Sequence, residues 1–127
     1  MVENLLVLKR DESVRLDPDR LDEIYARLGE VGAEDLVCRA IEELAVRLSQ
    51  TQRHYRAGRL SDLRASTRAV SPVADQLGMR TLARVSRDLV ACLDRGDGAA
   101  TAAVLARLIR IGELSLTAIW DTDDLRI

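Results

Sequence analysis

The chain has 127 residues, 47% hydrophobic and 31% charged, which suits one domain with an ordinary core and excludes disordered or collagen-like classes. Nineteen basic residues against 21 acidic ones leave a net charge of -2, and the aromatics are only Tyr25, Tyr55 and Trp120. With no positive field for phosphate backbones and no platform for stacking bases, nucleic acid is not an expected partner.

No apolar run approaches the ~20 residues that span a bilayer. Met1 to Leu8 has no basic stretch before its apolar residues and no small-residue cleavage site after them, so the expectation is a cytoplasmic protein without a secretory signal or a membrane partner. Residues 1–16 read as an arm in which Asn4 to Leu8 is either a short strand or extended chain, and no function attaches to it. From Asp17 to Trp120, apolar residues recur at three- and four-residue spacing, which predicts helices throughout. Asp17 can cap the first helix, Pro18 occupies its first position, and Leu21, Ile24, Tyr25 and Leu28 form its apolar stripe. Gly29 and Gly32 break the pattern. A second helix then opens with Glu34 and Asp35, buries Val37, Ile41, Leu44, Leu48 and Tyr55, and stops at Gly58.

A third helix starts near Ser61 or Asp62 and turns Leu63, Thr67, Val70, Ala74 and Leu77 inward, leaving Arg64, Arg68, Ser71 and Asp75 outside before Gly78 ends it. The fourth buries Leu82, Val85, Leu89, Cys92 and Leu93, aligns Arg80, Arg84 and Arg87 on its outer face, and ends at Gly96. Asp97 can cap a fifth helix from about Gly98 to Trp120, burying Ala102, Leu105, Leu108, Ile109, Leu116 and Ile119. Short connections predict an all-α, up-down antiparallel four-helix bundle with a short additional N-terminal helix. Residues 17–120 form the bundle and 121–127 a solvated tail.

Few residues here carry chemistry. One histidine, His54, and two distant cysteines, Cys38 and Cys92, are too few for a metal site, and the thiols read as two small core residues in a reducing cytosol rather than a disulfide framework. Asp121, Asp123 and Asp124 lack the Gly and Glu that follow in a calcium loop. Gly96, Asp97 and Gly98 have no Lys-Ser or Lys-Thr behind them, so they read as a helix–helix turn and not a phosphate loop. No cofactor is expected.

The helix order, with Leu77-Gly78 closing the third helix and Arg95-Gly96-Asp97 turning between the fourth and fifth, resembles the histidine-phosphotransfer (HPt) domain family over roughly Asp17 to Trp120. In that family an exposed histidine in a motif of the form A-H-x-L-K-G-S-A accepts a phosphoryl group from a receiver aspartate. Counting back from Gly78, the phosphoacceptor position falls on Arg68, the leucine on Val70, the lysine on Ser71, the glycine on Pro72 and the alanine on Ala74. The resemblance therefore implies a degenerate member with no catalytic residue, since a guanidinium stays protonated and is no nucleophile. Pro72 is expected to bend the helix where the family's glycine leaves room.

What the resemblance implies is a non-enzymatic binding or regulatory module in two-component signalling, docking a receiver domain or a histidine kinase through Arg64, Arg68, Ser71, Pro72, Asp75, Arg80, Arg84 and Arg87. The guanidiniums of Arg64 and Arg68 would meet the receiver's acidic pocket, although a solvated outward face accounts for the same pattern. Two other readings stay open. His54-Tyr55-Arg56-Ala57-Gly58 matches H-x-x-x-G and could make an active phosphotransferase, but that register places Arg64 where the helix-ending glycine belongs. The chain could also be a purely structural bundle forming a homo-oligomer through an apolar helix face.

Overall fold

The computed structural model describes residues 14–126, with side chains as far as Asp121. Four helices account for most of them: α1 (Pro18–Arg56), α2 (Leu60–Gln76), α3 (Arg80–Arg95) and α4 (Gly98–Arg126). The chain is an all-α helical bundle. Each helix packs along the next, and α4 also touches α1. Among the described residues no helix is long and apolar enough to cross a membrane. The expectation for Asn4 to Leu8 lies outside the described residues.

Local chemistry accounts for most boundaries. The Asp17 carboxylate accepts the Asp19 N–H at 3.1 Å with Pro18 at the first helical position, and the Asp97 carboxylate accepts the Ala100 N–H at 3.0 Å to start α4. Helix α2 starts at Leu60, ahead of the predicted Ser61 or Asp62, and Arg59 before it gives no side-chain cap. The expected double break at Gly29 and Gly32 is a single one. Gly29 has φ 75° and ψ 175°, whereas Gly32 lies inside regular helix, so α1 resumes four residues sooner than Glu34. Nor does Pro72 interrupt α2, which continues to Gln76. At the other end α4 runs past Trp120 to Arg126, so helical backbone stands where a tail was expected.

The core is built from Ile24, Leu44 and Leu48 of α1, Val70 of α2 and Leu77 just after it, Leu82, Val85 and Leu89 of α3, and Leu108, Ile111 and Ile119 of α4. The inward stripes predicted for α2 and α3 are buried, Leu93 only in part. Three expectations fail. Cys38, read as a core residue, is exposed, and only Cys92 is buried. Tyr55 is 38% exposed, because it stands in the last turn of α1 where the packing runs out. In α4 the buried positions are Thr101, Leu105, Leu108, Ile111, Gly112, Ser115 and Ile119, spaced by three or four residues except for the adjacent Ile111 and Gly112, while Ala102 is exposed and Ile109 and Leu116 are half-buried. Gly112 explains the register: a Cβ there would stand 2.6 Å from Cδ1 of Leu48, so α1 and α4 approach each other through it.

A short arm joins this bundle. Leu16 bridges to Met79 in antiparallel fashion, the Asp17 N–H donates to the Gly78 carbonyl at 2.8 Å, and the Arg80 N–H donates to the Arg15 carbonyl at 3.1 Å. The Arg15 N–H also donates to the Thr81 hydroxyl at 3.0 Å. Residues 14–17 thus seal the turn between α2 and α3.

Candidate docking face

With Leu63, Thr67, Val70 and Ala74 buried on one stripe of α2 and Leu77 buried just past its end, helical geometry turns Arg68 and Asp75 outward and leaves Arg64 and Ser71 half-buried at the margin. In α3, burial of Leu82, Val85, Leu89 and Cys92 does the same for Arg80, Arg84 and Arg87, all exposed. Arg68 is exposed and Val70, two residues on, is fully buried. Arg68 thus faces outward and Val70 inward, as the apolar spacing of this helix predicts.

Two depressions lie on this face. One, of about 350 Å³, is bounded by Thr67, Arg68, Ser71, Pro72, Ser86, Arg87 and Val90. Its floor is made of satisfied hydroxyls, since Thr67 donates to the Leu63 carbonyl at 2.7 Å and Ser86 to the Ala83 carbonyl at 2.8 Å. Pro72 has no N–H to offer the carbonyl of Arg68, one turn back. The second depression, of about 420 Å³, lies between the start of α1 and α3 and takes in Asp17, Arg20, Asp75, Arg80, Arg84 and Arg87. Arg87 lines both.

Ion pairs divide the arginines into held and free ones. Arg64 grips Asp94 with two bonds, Nε to Oδ1 at 2.7 Å and Nη2 to Oδ2 at 3.2 Å, joining the start of α2 to the end of α3. Those bonds, helped by the charges of Arg64 and Arg68, hold the Asp94 carboxyl below the usual aspartate value of 3.8 and raise the Arg64 guanidinium further. Arg80 bonds Asp17 at 2.7 Å, which lowers the Asp17 carboxyl and raises Arg80 in the same way. Arg87 meets Asp75 at 3.5 Å. Arg68 and Arg84 form no ion pair among the described residues.

The structure thus brings Arg68, Ser71, Pro72 and Arg87 around one depression and Asp75, Arg80, Arg84 and Arg87 around the other, while Arg64 lines neither. Thr67, Ser86, Arg20, Asp17 and Asp94 belong to the face too and were missed. Asp17 carried a signal only as a helix cap, and nothing in the sequence pairs Asp17 or Asp94 with its arginine. The buried hydroxyls carried none, because in the sequence they read as core or surface at will. His54 sits apart, half-buried in the last turn of α1, its carbonyl accepting the Arg59 N–H at 3.0 Å. Among the described residues no three His, Cys, Asp or Glu come together to hold a metal ion. The face presents guanidiniums and hydroxyls, groups that recognise carboxylates and other oxyanions. No protein-family model, curated protein or solved structure matches the chain.

Proposed function

We propose that this chain is a non-catalytic, HPt-like binding module of a cytoplasmic two-component relay, which docks a receiver domain or histidine kinase on its α2–α3 face without accepting phosphate. The observation that carries the reading is an exposed Arg68, at the position where the family bears its phosphoacceptor, in register with a buried Val70. The architecture is read as an up-down antiparallel bundle with a short extra helix before Gly29. Supporting it are the Arg64–Asp94 pair between the start of α2 and the end of α3, the 3.0 Å bond from Thr51 to Ser66 between the end of α1 and the start of α2, and the approach of Leu48 to Gly112. The mechanism is occupancy: bound to this face, a receiver is withheld from active phosphotransfer proteins, and Arg68 offers its phosphoryl group no nucleophile.

The test is incubation with phosphorylated receiver domains from the same organism, following both complex formation and transferred label. Binding without label is expected, with His54→Ala changing affinity by no more than about ±0.5 kcal/mol. Acid-labile label that disappears in His54→Ala would overturn the reading. Arg68→His alone is expected to stay unlabelled, and the triple change Arg68→His, Ser71→Lys, Pro72→Gly to gain label, because nucleophile, cation and open approach must all be present.

A further inference from the structure

The two depressions meet at Arg87, and the carboxylate facing Arg87 there is Asp75. This pair is looser than the other pairs made by residues of the face, at 3.5 Å against 2.7 Å for Arg64–Asp94 and Arg80–Asp17 and 3.0 Å for Arg20–Glu23. Both partners are more than half exposed, at 57% and 58%, and pairs of that kind contribute little to stability. Asp75 is also badly placed for its own helix. It is the penultimate residue of α2, whose last turn has no basic residue, so its charge meets the negative end of the helix dipole. It gives the fold little, yet it neutralises the arginine shared by both depressions, and its charge reaches Arg80 as well.

We propose that Asp75 is an internal competitor for the partner's carboxylate: the partner presents a cluster of acidic side chains, one of which displaces Asp75 from Arg87 while its neighbours meet Arg68 and Arg84. The inference rests on the α2–α3 face being the docking surface, and it names the chemistry that the face selects. A partner with a single acid would gain too little at Arg87 to replace a carboxylate already there. A partner with several engages the two unpaired arginines at the same time, so Asp75 sets a threshold on acidity.

The experiment measures fluorescence anisotropy of a labelled oligo-aspartate peptide with the full chain, at about 20 mM and about 200 mM salt, where screening differs strongly. Asp75→Asn is expected to bind about two- to fivefold tighter than wild type at low salt, the size of one exposed charge pair. That gain should shrink at high salt and vanish in the Asp75→Asn, Arg87→Gln double variant. Glu42→Gln, the same charge change at an exposed position of α1, should give a smaller gain. Thermal melts should show Asp75→Asn folded and no less stable than wild type. Equal gains from Glu42→Gln and Asp75→Asn, or a gain that survives loss of Arg87, would overturn the proposal. Failure of receivers to bind while this ranking holds would instead overturn the receiver reading and leave Asp75's role standing.

Discussion

The turns at the two ends of α3 share one hydrogen-bond pattern and are used in opposite ways. At the first, the Gly78 N–H donates to the Asp75 carbonyl and the Met79 N–H to the Ala74 carbonyl; at the second, the Gly96 N–H donates to Leu93 and the Asp97 N–H to Cys92. Both glycines lie in the left-handed region, at φ 74° and 67°. Around Gly96 nothing would meet an added Cβ within 4 Å, whereas at Gly78 that atom would fall 2.9 Å from the Asp17 carbonyl oxygen and 3.0 Å from Cβ of Arg20. The residue after Gly96 is an exposed Asp97, and the one after Gly78 is a fully buried Met79. Identical backbone chemistry therefore makes a solvent-facing link at one end and a packed junction at the other, and only the neighbours distinguish them.

The largest expected effect is at the residue following each glycine. Met79→Ala should destabilise the protein by about 2–5 kcal/mol, as buried large-to-small changes do, while Asp97→Ala should cost about 1 kcal/mol through loss of the α4 cap. Urea unfolding of both variants decides it, and equal losses would mean the Gly78 junction is no better packed than the other turn. At the glycines themselves, Gly96→Ala should cost about 1–2 kcal/mol for the left-handed backbone alone. Gly78→Ala adds a clash with the arm and should reach about 3 kcal/mol. Similar values for the two would show that residues 14–17 yield easily.

A smaller effect concerns acid, and here the two ends should agree. Asp17 near Gly78 and Asp94 near Gly96 both have carboxyls held below 3.8 by arginine partners. A carboxyl with a lowered folded pKa adds stability that is fully present above its unfolded value and is lost as pH falls through the folded one. Thermal melts between about pH 6 and pH 2 should therefore show a loss beginning near pH 4. Asp17→Asn and Asp94→Asn should each flatten part of that slope, and a slope unchanged in both would remove these pairs from the account. The smallest effect is Arg64→Gln, expected to alter thermal stability only slightly and less still at high salt, since the pair is largely exposed.

Most of the bundle was legible in the sequence because its signals are local. Asp17 with Pro18, Asp97 and the glycines after α2 and α3 mark helix ends through chemistry that needs no tertiary context. The stripes of α2 and α3 are strongly apolar on one side and arginine-rich on the other, so one-sided burial could be read directly. Helix α4 was harder. Its buried stripe includes Thr101, Gly112 and Ser115, which carry little hydrophobic signal, and the apolar Ile109 and Leu116 beside it pulled the expected face round by one position. What fixes the stripe is the approach to Leu48, a contact between residues far apart in the chain. The arginine-bearing face of α2 and α3 divided in the same way. Its arginines were visible by spacing, but Arg64 was expected at the partner's acidic pocket and is gripped instead by Asp94, thirty residues away. Pairing across helices depends on packing that no window of sequence contains.

The arm also has a consequence for the order in which the molecule assembles. Contacts between α2 and α3 join neighbours in the chain, whereas the Arg80–Asp17 pair closes a separation of 63 residues. Chain entropy opposes so long a closure until the intervening helices have already collapsed together. Residues 14–17 should therefore dock late, after the transition state, with substitutions there speeding unfolding and leaving the refolding rate nearly unchanged. Kinetically, the arm is a clasp on a finished bundle: it sets how long the folded molecule lasts and has little say in how fast it forms.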